Sequence, residues 1–286
     1  MSEKDFDLLI IGGGINGVGI ARDAAGRGLS VLLVEQDDLG QHTSSASTKL
    51  IHGGLRYLEY GEIGLVRAAL RERERMLSIA QHLVRPLEFV LPQTDLSRPS
   101  WMLRFGLALY DRLGGPSRLA RSRALQLEGT YRQGLQSQVK RGFAYWDCRV
   151  DDSRLVIANA LDAAARGAKI LPRTRFVGAS RDRDAWRCTL IDTRTEDAET
   201  VRARVLVNAA GPWVSDILHR RLNIARKKTV RLVKGSHIIV PRLHEGSHAF
   251  MLQNPDRRIV FVIPYEEHYS LIGTTEVAVP SPDSPE

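Results

Sequence analysis

Cysteine is almost missing from this chain. Cys148 and Cys188 are the only two, and neither stands in a C-x-x-C or metal-ligand spacing. That excludes a disulfide-built scaffold and a zinc knuckle, and it suits the reducing cytosol. Long hydrophobic runs are missing as well: no window approaches the ~18 uninterrupted apolar residues of a membrane span. The first residues, Met1-Ser2-Glu3-Lys4-Asp5, are polar and lead straight into an apolar strand, so no secretory leader is expected. There is no internal repeat. Acidic side chains are in deficit, 33 against 41 basic ones, for a net charge of +8. Such a surface draws anionic partners: phosphorylated substrates, acidic lipid head groups or nucleic acid. The charge is dispersed and no nucleic-acid motif accompanies it, so nucleic acid is set aside. What remains, 286 residues that are 43% hydrophobic with a mean hydropathy of -0.21, is the composition of an ordinary soluble globular protein of one or two domains.

Glycine is where the chain becomes specific. Leu8–Ile11 is a continuous apolar run of the kind buried on both faces of a parallel sheet. Gly12, Gly14 and Gly17 follow in G-x-G-x-x-G spacing, and Ile15–Arg27 carries the small and apolar residues of a sheet-packed helix. In this arrangement Gly12 permits the tight turn, Gly14 lets backbone approach a pyrophosphate, and Gly17 lets helix and strand pack closely. The helix N-terminus supplies oriented N–H groups for the phosphates. Ser30–Val34 reads as a second strand, with Glu35 at its tip, 18 positions after Gly17. An acid there accepts hydrogen bonds from a ribose 2′-hydroxyl and repels a 2′-phosphate, which selects FAD or NAD over NADP.

Beyond this unit, Gln36–Lys49 is a polar, hydroxyl-rich loop, and Ile51–Tyr57 sets two glycines beside His52 and Arg56. Either that backbone is squeezed against a flat or anionic ligand, or it is a plain turn. Glu62–Leu83 reads as an amphipathic helix with Leu65, Ala69, Met76, Ile79 and Leu83 on or near one face. Its charge run Arg71–Arg75 reads as a solvated face. A strand is expected over Pro86–Leu91. Trp101–Leu113 reads as a helix that either lies on a membrane interface or packs on the protein body. Gly114–Gln138 lacks periodicity and is expected to be irregular. A strand at Arg141–Trp146 precedes an Asp151-capped helix reaching Arg166. Strands at Ala168–Leu171, Phe176–Asp182, Trp186–Asp192 and Thr200–Val207 follow, the last three as a β-meander. The chain then enters a second glycine-bearing turn, Asn208–Trp213. Further strands are expected at Ser236–Val240, Arg257–Ile263 and Tyr269–Gly273.

A nucleotide βαβ unit, a meander and a strand ending Asn-Ala-Ala-Gly-Pro-Trp together resemble the FAD-binding fold of the glutathione-reductase and amino-acid-oxidase type. The expected class is α/β: a Rossmann-like domain with an interleaved antiparallel substrate sheet. Within it, Gly12–Asp23, Thr43–Glu59, Asn208–Val214 and Lys234–Pro241 resemble the aerobic FAD-dependent glycerol-3-phosphate dehydrogenases, with Arg257–Tyr265 and Ile272–Glu276 in support. The resemblance implies oxidation of glycerol 3-phosphate to dihydroxyacetone phosphate, with hydride passing to FAD and electrons onward to a membrane quinone. It implies a cytoplasmic protein, peripheral on an anionic inner membrane surface, and leaves room for a homodimer. Members of that family are longer. The chain is therefore expected to be a C-terminally truncated version that holds FAD weakly and turns over little by itself.

Carried onto this sequence, Gly12, Gly14, Gly17 and Glu35 hold the ADP half of FAD. Ser44, Ser45, Ser47, Thr48 and Lys49 run along the pyrophosphate and flavin. Backbone near Phe176 meets the adenine, and Gly211 and Trp213 close on the nucleotide. Arg56 is the expected grip on the substrate phosphate, although pattern alone would make it a surface ion pair. His52 and His237 are candidates to bind substrate or take the hydroxyl proton; satisfied core histidines are the alternative. The expected division gives residues 1–85 and 141–234 to FAD and residues 86–140 and 235–286 to substrate and interface. Two other readings stay open: an amine or amino-acid oxidase of the same fold, and a non-catalytic fragment that binds a membrane or partner.

Overall fold

The computed structural model describes residues 4–95, 97–225, 230–254 and 258–284. Met1–Glu3, Arg257 and the final Pro285-Glu286, on which parts of the sequence reading fall, lie outside them. In chain order the elements are β1 (Lys4–Ile11), α1 (Ile15–Gly26), β2 (Val31–Val34), β3 (Leu50–Ile51), a 3-10 turn (Leu55–Tyr60), α2 (Ile63–Ile79) and β4 (Val84–Pro92). There follow α3 (Ser100–Leu113), β5 (Arg123–Gln126), β6 (Arg141–Val150), α4 (Asp152–Ala165), β7 (Lys169–Leu171), β8 (Thr174–Asp182), β9 (Ala185–Asp192) and β10 (Ala198–Asn208). The last group is β11 (Val233–Lys234), β12 (His237–Pro241), β13 (Ala249–Gln253), β14 (Ile259–Tyr265), β15 (Tyr269–Gly273) and β16 (Val277–Ala278).

These elements fall into two compact units. One comprises residues 1–47, 151–233 and 278–286; the other comprises 48–150 and 234–277. Residues 48–85, 141–150 and 234, assigned from sequence to the nucleotide part, belong to the second unit, and 278–286, assigned to the substrate part, belong to the first.

The first unit is built on a six-stranded sheet in the order β7-β2-β1-β10-β9-β8. β1 lies between β2 and β10 and runs parallel to both, with Leu8 opposite Val31 on one side and Val205 on the other. Its apolar run is explained by burial on both faces. Ile10 joins Val18, Ala21 and Ala25 of α1 and Val156, Ala160 and Ala163 of α4, while Leu9 and Ile11 pack with Leu32, Phe176, Leu190 and Ile217. β10, β9 and β8 form the antiparallel meander expected from sequence. Asp151 caps α4, its side chain accepting from the Arg154 N–H at 3.1 Å.

The second unit is an eight-stranded sheet, with order β12-β15-β14-β13-β4-β6-β3 and β5 alongside β6. Its core gathers Phe89, Tyr145, Leu70, Leu107, Tyr110 and Ile263. The apolar stripe of α2 is Val66, Leu70, Arg73 and Leu77, one position round from the expected face, and Leu65 and Ile79 are exposed. The solvated reading of the Arg71–Arg75 run therefore needs correcting at Arg73, which is 5% exposed because a buried carboxylate, Asp147, meets it at 2.7 Å. α3 buries Leu107 and Tyr110 and exposes Trp101 and Phe105. The stretch expected to be irregular contains β5, and β13 was not anticipated: Ala249–Gln253 is a short apolar run without alternation.

Candidate functional site

In the first unit the glycine turn between β1 and α1 opens onto a cleft of about 290 Å³. Gly12 has φ +112°, and a Cβ on it would meet the Ala209 carbonyl oxygen at 2.5 Å; a Cβ on Gly17 would collide with the Gly12 carbonyl. The first and third glycines thus let β1, α1 and the β10 end converge. Gly14 caps α1 with extended backbone and no side-chain cap, so the helix presents bare amides to the cleft. Ser44 Oγ accepts from one of them, Ile15 N–H, at 3.0 Å.

Glu35 is half-buried at the cleft wall. Its Oε2 accepts from Gly13 N–H at 2.7 Å and its Oε1 from Asp37 N–H at 2.9 Å. Two amides fix the carboxylate and leave lone pairs for ribose hydroxyls. Gly13, not singled out from sequence, is needed for this fit, since a Cβ there would meet Glu35 Cβ at 2.8 Å. Phe176, Gly211 and Trp213 line the same cleft. The indole of Trp213 stands edge-on to His42 at 4.8 Å and donates to Asp283 at 3.1 Å. Sequence reasoning also missed His42, whose Nε2 lies 2.9 Å from Asp37 Oδ2, and the cleft-lining cations Arg175 and Arg221. The excess of basic residues was their only trace in the sequence. A helix terminus met only at Ile15 by Ser44, a fixed acid and an aromatic wall fit a dinucleotide.

The hydroxyl loop is divided. Ser44 lines the cleft. Ser45 Oγ donates to the Gln41 and His42 carbonyls, and Ser47 Oγ donates to Asp152 Oδ2 at 2.8 Å. Thr48 and Lys49 lie in the second unit.

There, β12, β15 and β14 set His237, Gly273 and Phe261 side by side. The His237 ring lies over Gly273, where a Cβ would strike it, and the His52 ring stands edge-on to Phe261 at 6.4 Å. His237 and His52 thus touch neighbouring residues, Gly273 and Phe261, of one cross-strand row. Thr48 Oγ1 lies 3.0 Å from His237 Nε2. Partial burial, and then the nearby Lys49 charge, lower the His237 pKa from its ordinary value, so the ring is neutral near pH 7. Arg56 bonds the Tyr60 hydroxyl at 3.3 Å; no hydrogen bond or ring contact links it to either histidine. Among the described residues no carboxylate forms an ion pair with Arg56.

A glycine-turn cleft on a mixed sheet of this order is a dinucleotide-binding arrangement. The family model for FAD dependent oxidoreductases matches residues 7–286, and the chain belongs to that family. It is 55% identical over 95% of its length to a glycerol-3-phosphate dehydrogenase of Pseudomonas aeruginosa, and 53% identical to a D-erythritol 1-phosphate dehydrogenase of Brucella abortus. A glycerol-3-phosphate dehydrogenase structure from Bacillus halodurans, solved with FAD, superposes with a TM-score of 0.68 at 30% identity, covering 98% of this chain and 49% of that one. The chain spans 52% and 54% of the two curated relatives, about half of each.

Proposed function

We propose that this chain carries the FAD site and part of the substrate site of a dehydrogenase acting on a polyol phosphate, foremost sn-glycerol 3-phosphate, which it converts to dihydroxyacetone phosphate. The observation that carries this reading is the 55% identity to the Pseudomonas aeruginosa enzyme, joined to a cleft whose residues fit the cofactor. FAD, when bound, supplies the acceptor for two electrons and the carbinol hydrogen. On the first unit, the α1 N-terminus and Gly14 take the pyrophosphate, and Glu35 takes the ribose hydroxyls. Ser44, Phe176, Gly211 and Trp213 enclose the nucleotide.

The second unit handles the substrate. Arg56, with no carboxylate partner among the described residues, offers a planar fork to a phosphate dianion. His237 is neutral, as a proton acceptor must be. With Nε2–H donating to Thr48, its Nδ1 lone pair is left for the substrate hydroxyl proton. His52 flanks the same row and binds the second hydroxyl.

The acceptor of the electrons in this reading is a membrane quinone. Among the described residues no helix is long and apolar enough to cross a membrane. The exposed Trp101, Met102 and Phe105 of α3, with Arg98 and Arg104 beside them, suit peripheral attachment to an anionic inner membrane face. A homodimer is compatible with this arrangement.

The Brucella abortus relative supports a second reading, in which the substrate is a four-carbon polyol phosphate. One experiment separates the readings. The chain is reconstituted with FAD and mixed without oxygen with glycerol 3-phosphate, D-erythritol 1-phosphate or glycine. Bleaching of the flavin by the first ester is expected; bleaching by the second alone would transfer the assignment, and bleaching by glycine alone would make the protein an amino-acid oxidase.

A further inference from the structure

Beneath the His52 bend in the second unit lies a buried polar network that the proposed chemistry does not use. Tyr110 is 2% exposed and Asp147 is 1% exposed. The Tyr110 hydroxyl donates to Asp147, with Oδ2 at 2.8 Å and Oδ1 at 3.0 Å, and accepts from the Gly53 N–H at 2.8 Å. Asp147 Oδ1 accepts from Arg73 Nη1 at 2.7 Å and stands 3.4 Å from the same Gly53 nitrogen. Arg73 also donates to the Trp146 carbonyl at 3.0 Å and to Glu74 at 2.9 Å.

Three features give this network a direction. First, the backbone it holds has no slack. A Cβ on Gly53 would meet Leu70 Cδ2 at 2.5 Å and the Tyr110 hydroxyl at 2.6 Å, and Gly54 follows in the left-handed region at φ 70°, ψ 60°. Second, the hydroxyl is set by the carboxylate. Because the phenolic O–H donates to Asp147, a lone pair of Tyr110 is turned toward the Gly53 amide. Arg73 in turn supports the ionised carboxylate against burial, which pushes the Asp147 pKa up. Third, stability alone is a poor reason for the network. A buried ion pair with its desolvation cost is commonly no better than apolar residues of the same volume. Residues that would gain little by packing alone converge on the amide next to His52.

We propose that Tyr110, Asp147 and Arg73 are positioning residues: they fix the Gly53 amide and so hold His52 in the orientation that meets the substrate. This rests on the substrate role given to His52 above, and deepens it.

The test compares Tyr110→Phe with Tyr145→Phe. Tyr145 is a buried neighbour whose hydroxyl bonds Met251 Sδ at 3.2 Å and not Gly53. Two signals are read by NMR in the full chain loaded with FAD: hydrogen exchange of the Gly53 amide and the ring resonances of His52. In the unsubstituted protein the Gly53 amide is expected to be protected. Tyr110→Phe should speed its exchange about tenfold and shift the His52 ring signals, while Tyr145→Phe leaves both in place. In protein that turns over glycerol 3-phosphate, Tyr110→Phe should lower kcat about ten- to a hundredfold with KM nearly unchanged. Equal effects from the two variants, or no movement of the His52 signals, would overturn the proposal. So would an unprotected Gly53 amide in the unsubstituted protein, a measurement that needs no variant to fold. If no polyol phosphate bleaches the flavin, the functional reading falls, while the amide and ring signals still decide whether the network orients the bend.

Discussion

His248 is 3% exposed and its Nε2 has no hydrogen-bond partner among the described residues; the ring stacks on His244 at 4.5 Å and leans on Tyr131 at 4.7 Å. Burial, and then the neighbouring His244, push its pKa from 6.5 down to about 4. Between those two values the unfolded chain binds a proton that the folded chain refuses. Folding stability should therefore drop as pH falls through that window, on the order of 3 kcal/mol, and be flat above it. His248→Phe is expected to remove most of that slope, read as the urea midpoint against pH beside the parent protein. Arg56 supports a prediction of another kind. Arg56→Lys keeps a positive charge but loses the fork, so apparent affinity for the phosphate ester should weaken by about 1–3 kcal/mol in KM, with kcat little altered. Unchanged kinetics would return Arg56 to an ordinary surface position. Arg73 shows why single residues are the hardest scale to read from sequence. It sits in a run of alternating charge that looks solvated, and the carboxylate that draws it inward, Asp147, lies on β6, distant in the chain. Gly12, Gly17 and Glu35 were legible because their spacing is local and the backbone conformation it demands is specific.

At the scale of elements, α3 separates two kinds of apolar residue on one helix. Leu107 and Tyr110 are sunk in the second unit's core, while Trp101 and Phe105 are 71% and 68% exposed. Leu107→Ala should cost about 2–4 kcal/mol of stability in a denaturant titration. The double replacement of Trp101 and Phe105 by serine should leave the unfolding midpoint almost unmoved, yet weaken binding to anionic lipid vesicles, an effect that added salt should mimic. Loss of stability in the double variant would place that face in a protein contact. Most elements were readable. The strand–turn–helix at Leu8–Gly26 and the meander β8–β10 announce themselves by apolar runs and turn residues, and Tyr269–Gly273 was bounded as found. α2 was found but turned by one position, because Leu65 and Ile79 are as apolar as the Val66 and Leu77 that packing selects. β5 and β13 were missed for a related reason: strand character there comes from pairing with β6, β4 and β14, and pairing leaves no local signature.

For the whole molecule, the cofactor cleft draws every one of its walls from the first unit. A ligand that binds only the folded form adds about 2.7 kcal/mol when present at a hundred times its dissociation constant. FAD should accordingly raise the thermal midpoint measured from the first unit, reported by Trp186 or Trp213 fluorescence, whereas NADP should not, because in the proposed site the Glu35 carboxylate would repel a 2′-phosphate. The order of the first unit's sheet has a consequence on the ribosome. β1, made before either of its neighbours, lies between β2 and β10, and β10 comes almost two hundred residues later. At about 5–20 residues per second, β1 waits roughly ten to forty seconds with one edge open before its second neighbour emerges. Nascent chains halted before Ala198 should be cut readily by protease at the β1–α1 junction, and chains that have released Asn208 should resist. The half-made sheet, with a bare apolar edge, is what a chaperone would meet first.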